Sequence, residues 1–359
     1  MSGTVTVTEA CAPVSVTTNP SGSSICAGAA TSMSVVLAGS PPYTYQWQYY
    51  NGATWVSVSN GAPAGSVYTG ATTNSLSISG IANAGTYQYQ CFVTNCSGNS
   101  NSQSTAATVT VNAIPTITGT TSNSRCGTGT VVLGATASAG IINWYAAPTG
   151  GSSLGTGGSF TTPSLSTTTT YYVDATNSGC TTATRTAVTA TINTIPTISG
   201  TTPGSRCGTG TVVLGATASA GIINWYAAPT GGSSLGTGGS FTTPSLSTTT
   251  TYYVDATNNG CTTATRTAVT ATVNSLPVVN AGTDQSIPNG TSTTLTGSVT
   301  GTGPFTYSWT PAAQVTSPSN VTTTTVNLSA TTVFTLTATS TSTICVNSDQ
   351  VTVNVTVVL

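Results

Sequence analysis

The residues that could carry out chemistry in this chain of 359 residues are few, and cysteines are the most numerous of them. There are nine cysteines, four arginines and five acidic residues, but no histidine and no lysine. Ser-His-Asp and Cys-His nucleophilic sites, histidine-ligated metals, lysine Schiff bases and P-loops each need a residue type that is absent. We therefore expect no catalytic residue, no bound metal and no cofactor, and we do not expect an enzyme.

The low charge and the short apolar runs exclude two classes of partner. Charged residues make up 3% of the chain, and the formal net charge is −1. Four dispersed arginines cannot neutralise a phosphate backbone, so we expect no nucleic-acid partner. No apolar run approaches the roughly 18 residues that a membrane span needs, so we expect no membrane insertion.

The cysteine spacing favours disulfides over metal ligation. No C-x-x-C pair occurs, and the cysteines are far apart in a chain rich in Thr, Ser and Gly. Such spacing is typical of a disulfide framework formed in an oxidising compartment. Because nine is an odd number, at least one thiol is free or pairs with another chain.

Period-two alternation identifies the elements that must position these cysteines. Segments such as TVTVT (4–8), ATVTV (107–111) and TVNVTV (352–357) alternate polar and β-branched residues, which is typical of half-buried strands. Prolines and Gly-Gly, Asn-Gly and Ser-Gly pairs separate these runs, as turns require. No helical periodicity is present, so the sequence predicts an all-β fold.

An internal repeat sets the domain organisation. Two consecutive segments are copies of one unit, and from Cys126 to Asn193 the first copy differs from the second only at Ser178 and Ile192. Single prolines in short links mark the boundaries, which favours domains stacked end to end as a rod. We predict an N-terminal closing strand and linker followed by four domains, with the spans 1–19, 20–112, 113–193, 194–274 and 275–359.

Cysteine positions within the repeat predict one bridge per copy. We expect strands near residues 130–133, 141–145, 159–161, 168–175 and 186–192. Cys126 precedes the early strand and Cys180 follows the late one, which predicts a Cys126–Cys180 bridge. On the loop-entropy model such a bridge contributes about 4 kcal/mol. A Cys207–Cys261 bridge would repeat it in the second copy.

The cysteines of the first domain are harder to assign. Aligning VTNCSG (93–98) with ATNSGC (175–180) favours a Cys26–Cys96 bridge as the counterpart of the repeat's bridge. Cys91 then aligns with an inward position of the repeat. It is either a buried thiol or the partner of Cys11, and the sequence leaves both alternatives open.

Aromatic and charged side chains suggest further roles. We predict that Trp47, Trp144, Trp225 and Trp309, in corresponding central strands, are core residues. We expect Asp174 and Asp255 to face outward and to form exposed ion pairs with Arg185 and Arg266, each worth less than about 1 kcal/mol. Trp55 lies in a turn-rich segment, and with Tyr49 and Tyr50 it is a candidate sugar-stacking patch.

Several segments resemble a known group of proteins. INWYAAPTGGSSLGTGG (142–158) and TTYYVDATNSGC (169–180) resemble the Ig-like repeats of very large secreted surface proteins of Bacteroidetes-type bacteria, such as gliding-motility adhesins and other type IX secretion cargo. YQWQ (45–48) and NAGTYQYQC (83–91) resemble the tryptophan strand and tyrosine corner of an immunoglobulin fold. Residues 277–311 resemble PKD-like modules.

This resemblance implies tandem Ig-like β-sandwich domains, secretion to the bacterial cell surface, and a spacer or adhesive role without catalysis. PKD-like modules of this kind often carry a cysteine where this chain has Pro288, paired with the one that is Cys345 here. The resemblance therefore implies that Cys345 is unpaired.

Three functional hypotheses follow. The first is a rigid, disulfide-stapled rod in a surface adhesin or extracellular fibre, with neighbouring repeats or copies of itself as partners. The second is a module that binds surface glycans. The third starts from residues 2–9, whose Val5 and Val7 form a closing strand without its domain. That strand belongs to an upstream repeat, or it is a donor strand that builds a filament.

Overall fold

The computed structural model describes residues 10–98 and 100–357, and it is built almost entirely from β-strands. The chain divides into two compact units, Met1–Asn193 and Thr194–Leu359. Each unit contains two Ig-like β-sandwich domains, so the prediction of an all-β, tandem Ig-like fold is confirmed. The predicted assembly strand with Val5 and Val7 lies outside the described residues. Within the described ranges, no helix is long and apolar enough to cross a membrane.

The first domain packs a large sheet against smaller ones. Its strands are β1 (Ser15–Thr18), β2 (Ser23–Cys26), β3 (Thr31–Ser34), β4 (Val36–Ala38), β5 (Tyr43–Tyr50), β6 (Trp55–Ser57), β7 (Val67–Thr69), β8 (Ser75–Ser79), β9 (Gly85–Asn95), β10 (Ser100–Gln103) and β11 (Ala107–Asn112), with a 3₁₀ turn at Cys96–Gly98. The large sheet has the order β2-β11-β9-β5-β6, with β10 also on β9, and β3-β8-β7 forms the opposite layer. The remaining pair, β1 with β4, places Ser15–Thr18 in this domain, so the predicted linker 1–19 extends too far.

The second domain has the same plan. Its strands are β12 (Ile117–Thr121), β13 (Asn123–Cys126), β14 (Val132–Ala137), β15 (Ile141–Tyr145), β16 (Gly155–Thr156), β17 (Ser159–Thr161), β18 (Thr169–Asn177), β19 (Cys180–Thr181) and β20 (Thr186–Asn193). The sheet β13-β20-β18-β15-β16, with β19 on β18, faces β12-β14-β17. The prediction missed β12, β13, β16 and β19, which are short or rich in Gly, Ser, Thr and Asn.

The third domain, in the second unit, repeats this plan. Its strands are β21 (Ile198–Thr202), β22 (Gly204–Cys207), β23 (Val213–Ala218), β24 (Ile222–Tyr226), β25 (Gly236–Thr237), β26 (Ser240–Thr242), β27 (Thr250–Asn258), β28 (Cys261–Thr262) and β29 (Thr267–Asn274). The sheet order β22-β29-β27-β24-β25 is that of the second domain, strand for strand.

The fourth domain is a simpler sandwich. Its strands are β30 (Val278–Asn280), β31 (Gln285–Pro288), β32 (Thr294–Thr296), β33 (Ser298–Thr300), β34 (Phe305–Thr310), β35 (Thr322–Thr324), β36 (Thr332–Ser340) and β37 (Val346–Thr356), with a 3₁₀ turn at Ala312–Gln314. The main sheet has the order β31-β37-β36-β34, and β30-β33 and β32-β35 are separate pairs.

A fully buried tryptophan lies at the centre of each domain, which confirms the predicted core role of Trp47, Trp144, Trp225 and Trp309. The polar N–H of each indole is satisfied by a backbone carbonyl, as burial requires. Trp144 Nε1 donates to Gly157 O at 2.8 Å, and Phe160 stacks on the ring with the centroids 5.3 Å apart. These packed rings hold the two layers together.

Candidate functional site

The cysteines occupy two recurring positions in the fold, and the first is the end of a short early strand. In each domain this strand pairs in parallel with the closing strand, as β2 does with β11. Cys26 lies opposite Asn112, and the next amide, Ala27 N, donates to Asn112 O at 2.9 Å. Cys126 and Cys207 hold the same place opposite Asn193 and Asn274. These cysteines therefore lie where the chain leaves each domain.

The second position is the turn that follows the longest central strand. Cys180 lies opposite Asn177 across this turn. At the same end of the second domain, Ile117 of the first strand pairs with Ala137. The turn cysteine therefore lies where the chain enters the domain. Cys96, Cys261 and Cys345 follow the corresponding strands of the other domains.

Disulfides join one position to the other across a domain boundary. In the first unit, Cys26 of the first domain is bonded to Cys180 of the second, with the Cα atoms 5.6 Å apart. In the second unit, Cys207 of the third domain is bonded to Cys345 of the fourth, at 5.5 Å. Cys126 and Cys261 are also disulfide-bonded. Each of the two described bridges is thus a second covalent link beside the peptide linker.

The predicted pairings within single domains are wrong. Cys126–Cys180, Cys207–Cys261 and Cys26–Cys96 are excluded because Cys180, Cys207 and Cys96 are bonded to other cysteines. The physical reason is the parallel strand, which carries Cys126 to the far end of the sandwich. A strand of nine residues separates that end from Cys180, about 30 Å. A disulfide spans Cα atoms no more than about 7 Å apart.

The remaining cysteines settle the open alternatives. Cys11 is bonded to Cys96, with the Cα atoms 6.3 Å apart, so this bridge closes the first domain on its own leading segment. Cys91 is a free, buried thiol, and burial raises its pKa to about 11. Cys345, which the family resemblance implied to be unpaired, is bonded to Cys207.

A charged cluster recurs in the second and third domains, and it is more buried than predicted. Arg185 Nε lies 3.2 Å from Asp174 Oδ2, and the two side chains are 13% and 6% exposed. The expected exposed ion pair is therefore a mostly buried one. Asn143 Nδ2 donates to the other carboxylate oxygen, Oδ1, at 3.0 Å. The guanidinium carbon lies 3.2 Å from the centroid of the Tyr145 ring.

This cluster fastens a loop. Arg185 Nη1 donates to Ala147 O at 2.9 Å and to Gly150 O at 2.7 Å, both in the loop that follows β15. Arg266 and Asp255 form the same arrangement in the third domain. Since the arginine bonds to groups of its own domain, the cluster's evident role is structural. No group of His, Cys, Asp and Glu side chains suited to a metal occurs among the described residues.

The predicted aromatic patch is only partly assembled. Tyr50 and Trp55 lie opposite each other on β5 and β6, with their ring centroids 5.4 Å apart, and Tyr50 is 38% exposed. Tyr49 points to the other side of β5 and packs against the core, 6.4 Å from the Tyr89 ring. The structure thus pairs the Tyr50 ring with Trp55, whereas the Tyr49 ring packs toward Tyr89.

A groove that sequence reasoning did not locate borders this patch. It has a volume of about 670 Å³ and is lined by Tyr49, Tyr50, Asn51, Tyr87, Gln88 and Thr108, among others. Tyr87 O–H donates to Asn83 O at 3.0 Å, as expected for a tyrosine corner. Aromatic faces beside hydroxyl and amide groups could contact a sugar ring through stacking and hydrogen bonds.

The fold and the cysteine positions define a tandem immunoglobulin-like protein with cross-linked domains. Residues 113–193 and 194–274 each match the family described as "Ig-like domain CHU_C associated". The two repeats are therefore similar to that family, while the flanking domains lie outside the match. Comparison with curated proteins finds no match.

Solved structures similar to this chain are themselves multidomain chains. Titin domains I67–I69 share 13% identity over 74% of this chain and 99% of theirs, with a TM-score of 0.43. Sidekick-1 immunoglobulin domains 1–5 share 15% over 97% and 81%, with a TM-score of 0.33. The insect immune protein hemolin shares 12% over 96% and 100%, with a TM-score of 0.27.

Proposed function

We propose that this chain is a non-catalytic structural segment of an extracellular protein, a disulfide-linked stalk in a bacterial surface adhesin or fibre. The observation that carries the proposal is the bridge between successive domains, Cys26–Cys180 in one unit and Cys207–Cys345 in the other. Disulfides of this kind form and persist in oxidising compartments, which supports a location outside the cytoplasm. The match of the repeats to a family of Ig-like domains supports the same reading.

A stalk needs joints that resist bending, and a cross-domain bridge supplies this. Between the first two domains the peptide runs from Asn112 to Ile117, where β12 begins. The bridge starts at Cys26, which lies directly opposite Asn112. Two covalent links at one joint restrict rotation more than a single short linker does.

Surface labelling of intact cells tests the proposal. Antibodies raised against the chain should label unpermeabilised cells that produce it, and permeabilisation should add little signal. Alkylation of the denatured, unreduced protein from the same cells should modify Cys91 and leave the eight bonded cysteines unmodified. Label confined to permeabilised cells, or nine reactive thiols, would contradict an extracellular stalk.

The groove on the first domain favours a second candidate function, contact with glycans. Its support is the Tyr50–Trp55 pair beside hydroxyl and amide groups. On a glycan array, the full chain should show saturable binding that Trp55→Ala removes. Leu154→Ala, which alters an exposed apolar residue of the second domain, is the matched control and should bind normally. Absence of binding by the unmodified chain, or full binding by Trp55→Ala, would reject this function.

A further inference from the structure

The two cross-domain bridges enclose most of the chain in covalent loops. Cys26 and Cys180 are 154 positions apart in sequence, and Cys207 and Cys345 are 138 apart. Tension applied to the two ends of a cross-linked chain is carried by the shortest covalent route between them. Residues inside a closed loop lie off that route and bear no tension along their backbone.

The route through the described residues can be followed directly. It runs from residue 10 to Cys26, crosses to Cys180, continues to Cys207, crosses to Cys345 and ends at residue 357. The central strands that carry Trp47, Trp144, Trp225 and Trp309 all lie inside the loops. Cys126 and Cys261 also lie inside the loops, and Cys11–Cys96 does not shorten the route.

This route sets a maximum length. About 60 residues lie on it, and at about 3.4 Å per extended residue they span about 200 Å. Without the bridges, the same described residues would extend to about 1,200 Å when every domain is unfolded. The bridges therefore remove about five sixths of the length that unfolding could release.

We propose that the bridges Cys26–Cys180 and Cys207–Cys345 make this chain a tether of fixed maximum length, whose tryptophan-bearing central strands lie off the path that carries the pulling force. A segment that unfolds inside a loop releases no length, so the ends cannot separate beyond the extended length of the route. The use of this property by a cell rests on the proposed stalk function. The property itself depends only on which cysteines are bonded.

Single-molecule stretching of the full chain, held at its two ends, measures the maximum length. The oxidised protein should reach about 200 Å at high force, and the reduced protein about 1,200 Å. The double variant Cys207→Ser/Cys345→Ser should gain about 400 Å over the oxidised protein, because most of the 138 positions between these cysteines enter the route. The matched control Cys11→Ser/Cys96→Ser loses a disulfide that lies off the route, and it should gain nothing.

Other lengths would overturn the proposal. An oxidised length of about 600 Å would indicate bridges inside single domains, and 1,200 Å would indicate none under load. The comparison of oxidised and reduced wild-type chain decides this even where a variant misfolds. Absence of surface label with a 200 Å limit would reject the stalk and leave the tether. Surface label with a length of 600 Å or more would reject the tether and the cross-linked joints, and it would leave only the extracellular location.

Discussion

The first and second domains place a cysteine at the same turn and connect it to different partners. Cys180 of the second domain is bonded to Cys26 of the domain before it, whereas Cys96 is bonded to Cys11 just ahead of its own domain. Asn95 Nδ2 also donates to Ala12 O at 2.8 Å, which holds the leading segment against that turn. A cysteine at this turn can thus join its domain to the preceding domain or close its own domain. The outcome depends on which other cysteine lies near the turn.

The two domains also differ on the core-facing side and on the outer side of their large sheets. In the first domain Cys91 lies opposite the core Trp47, and in the second the corresponding residue is Val173. On the outer face, the first domain has a neutral network in which Gln90 Nε2 donates to Gln48 Oε1 at 2.9 Å. The second has the Asp174–Arg185 pair. One plan therefore tolerates neutral or charged networks at the same face.

Removing the two kinds of bridge should give the largest effects and separate their roles. On the loop-entropy model, each bridge of the first unit contributes about 4 to 5 kcal/mol. Cys11→Ser/Cys96→Ser should destabilise the first domain alone, while Cys26→Ser/Cys180→Ser should destabilise both domains that its bridge joins. Hydrogen exchange resolved by domain measures this. Equal loss in both domains from Cys11→Ser/Cys96→Ser would contradict the difference between closing and joining bridges.

Breaking the outer-face networks should give a smaller difference. Arg185→Ala leaves the Asp174 carboxylate buried without its cation, which should cost about 3 to 4 kcal/mol in the second domain. The unaltered Arg266 cluster of the third domain is an internal reference. Gln90→Ala in the first domain removes only neutral hydrogen bonds and should cost about 1 to 2 kcal/mol. Denaturant unfolding followed by domain-resolved hydrogen exchange compares the losses of stability in the two variants. A loss of stability for Gln90→Ala as large as that for Arg185→Ala would oppose this account.

The core cysteine should give the first domain a dependence on alkaline pH. Burial raises the pKa of the Cys91 thiol to about 11 from the usual 9. The folded state therefore binds this proton more tightly than the unfolded state does. Its stabilisation is complete below about pH 9 and is lost as the pH rises toward 11, up to about 2 to 3 kcal/mol.

Cys91→Val gives the first domain the residue type of the second at this position and is the matched variant. Urea unfolding between pH 8 and about 11 should show a smaller fall in its first-domain stability than in the wild type. Burial also raises the pKa of Tyr68 and Tyr89, so a residual fall should remain at the highest pH. An identical pH profile in the variant would exclude Cys91 as a cause.

Much of the fold was predictable from the sequence because alternation and buried tryptophans report local structure. The strands Ile141–Tyr145 and Ser159–Thr161 have the predicted bounds. The cysteine partners were not predictable in this way. Chain order places Cys126 before the strands predicted from the sequence, yet the parallel pairing of β13 with β20 carries it to the other end of the domain. Disulfide pairing depends on which ends meet in space.

The burial of Asp174 was missed for a related reason. Alternation along β18 correctly places Tyr172 and Asp174 on the face opposite the core residues of that strand. It cannot show that the loop after β15 folds over this face and is fastened by Arg185. The Gly-rich APTGG segment and the neighbouring Tyr145 were the available signals. Neither signal predicts the burial of Asp174 until the position of the loop in three dimensions is known.

Digestion under non-reducing conditions tests the cross-domain pairing most directly. The chain has no lysine, so trypsin should cut only after its four arginines and give the fragments 1–125, 126–185, 186–206, 207–266 and 267–359. Bridges as described here should keep 1–125 joined to 126–185, and 207–266 joined to 267–359, until a reductant is added. The cysteine-free fragment 186–206 should be released at once. Five separate fragments before reduction would mean that every bridge lies within one domain, and would contradict this account.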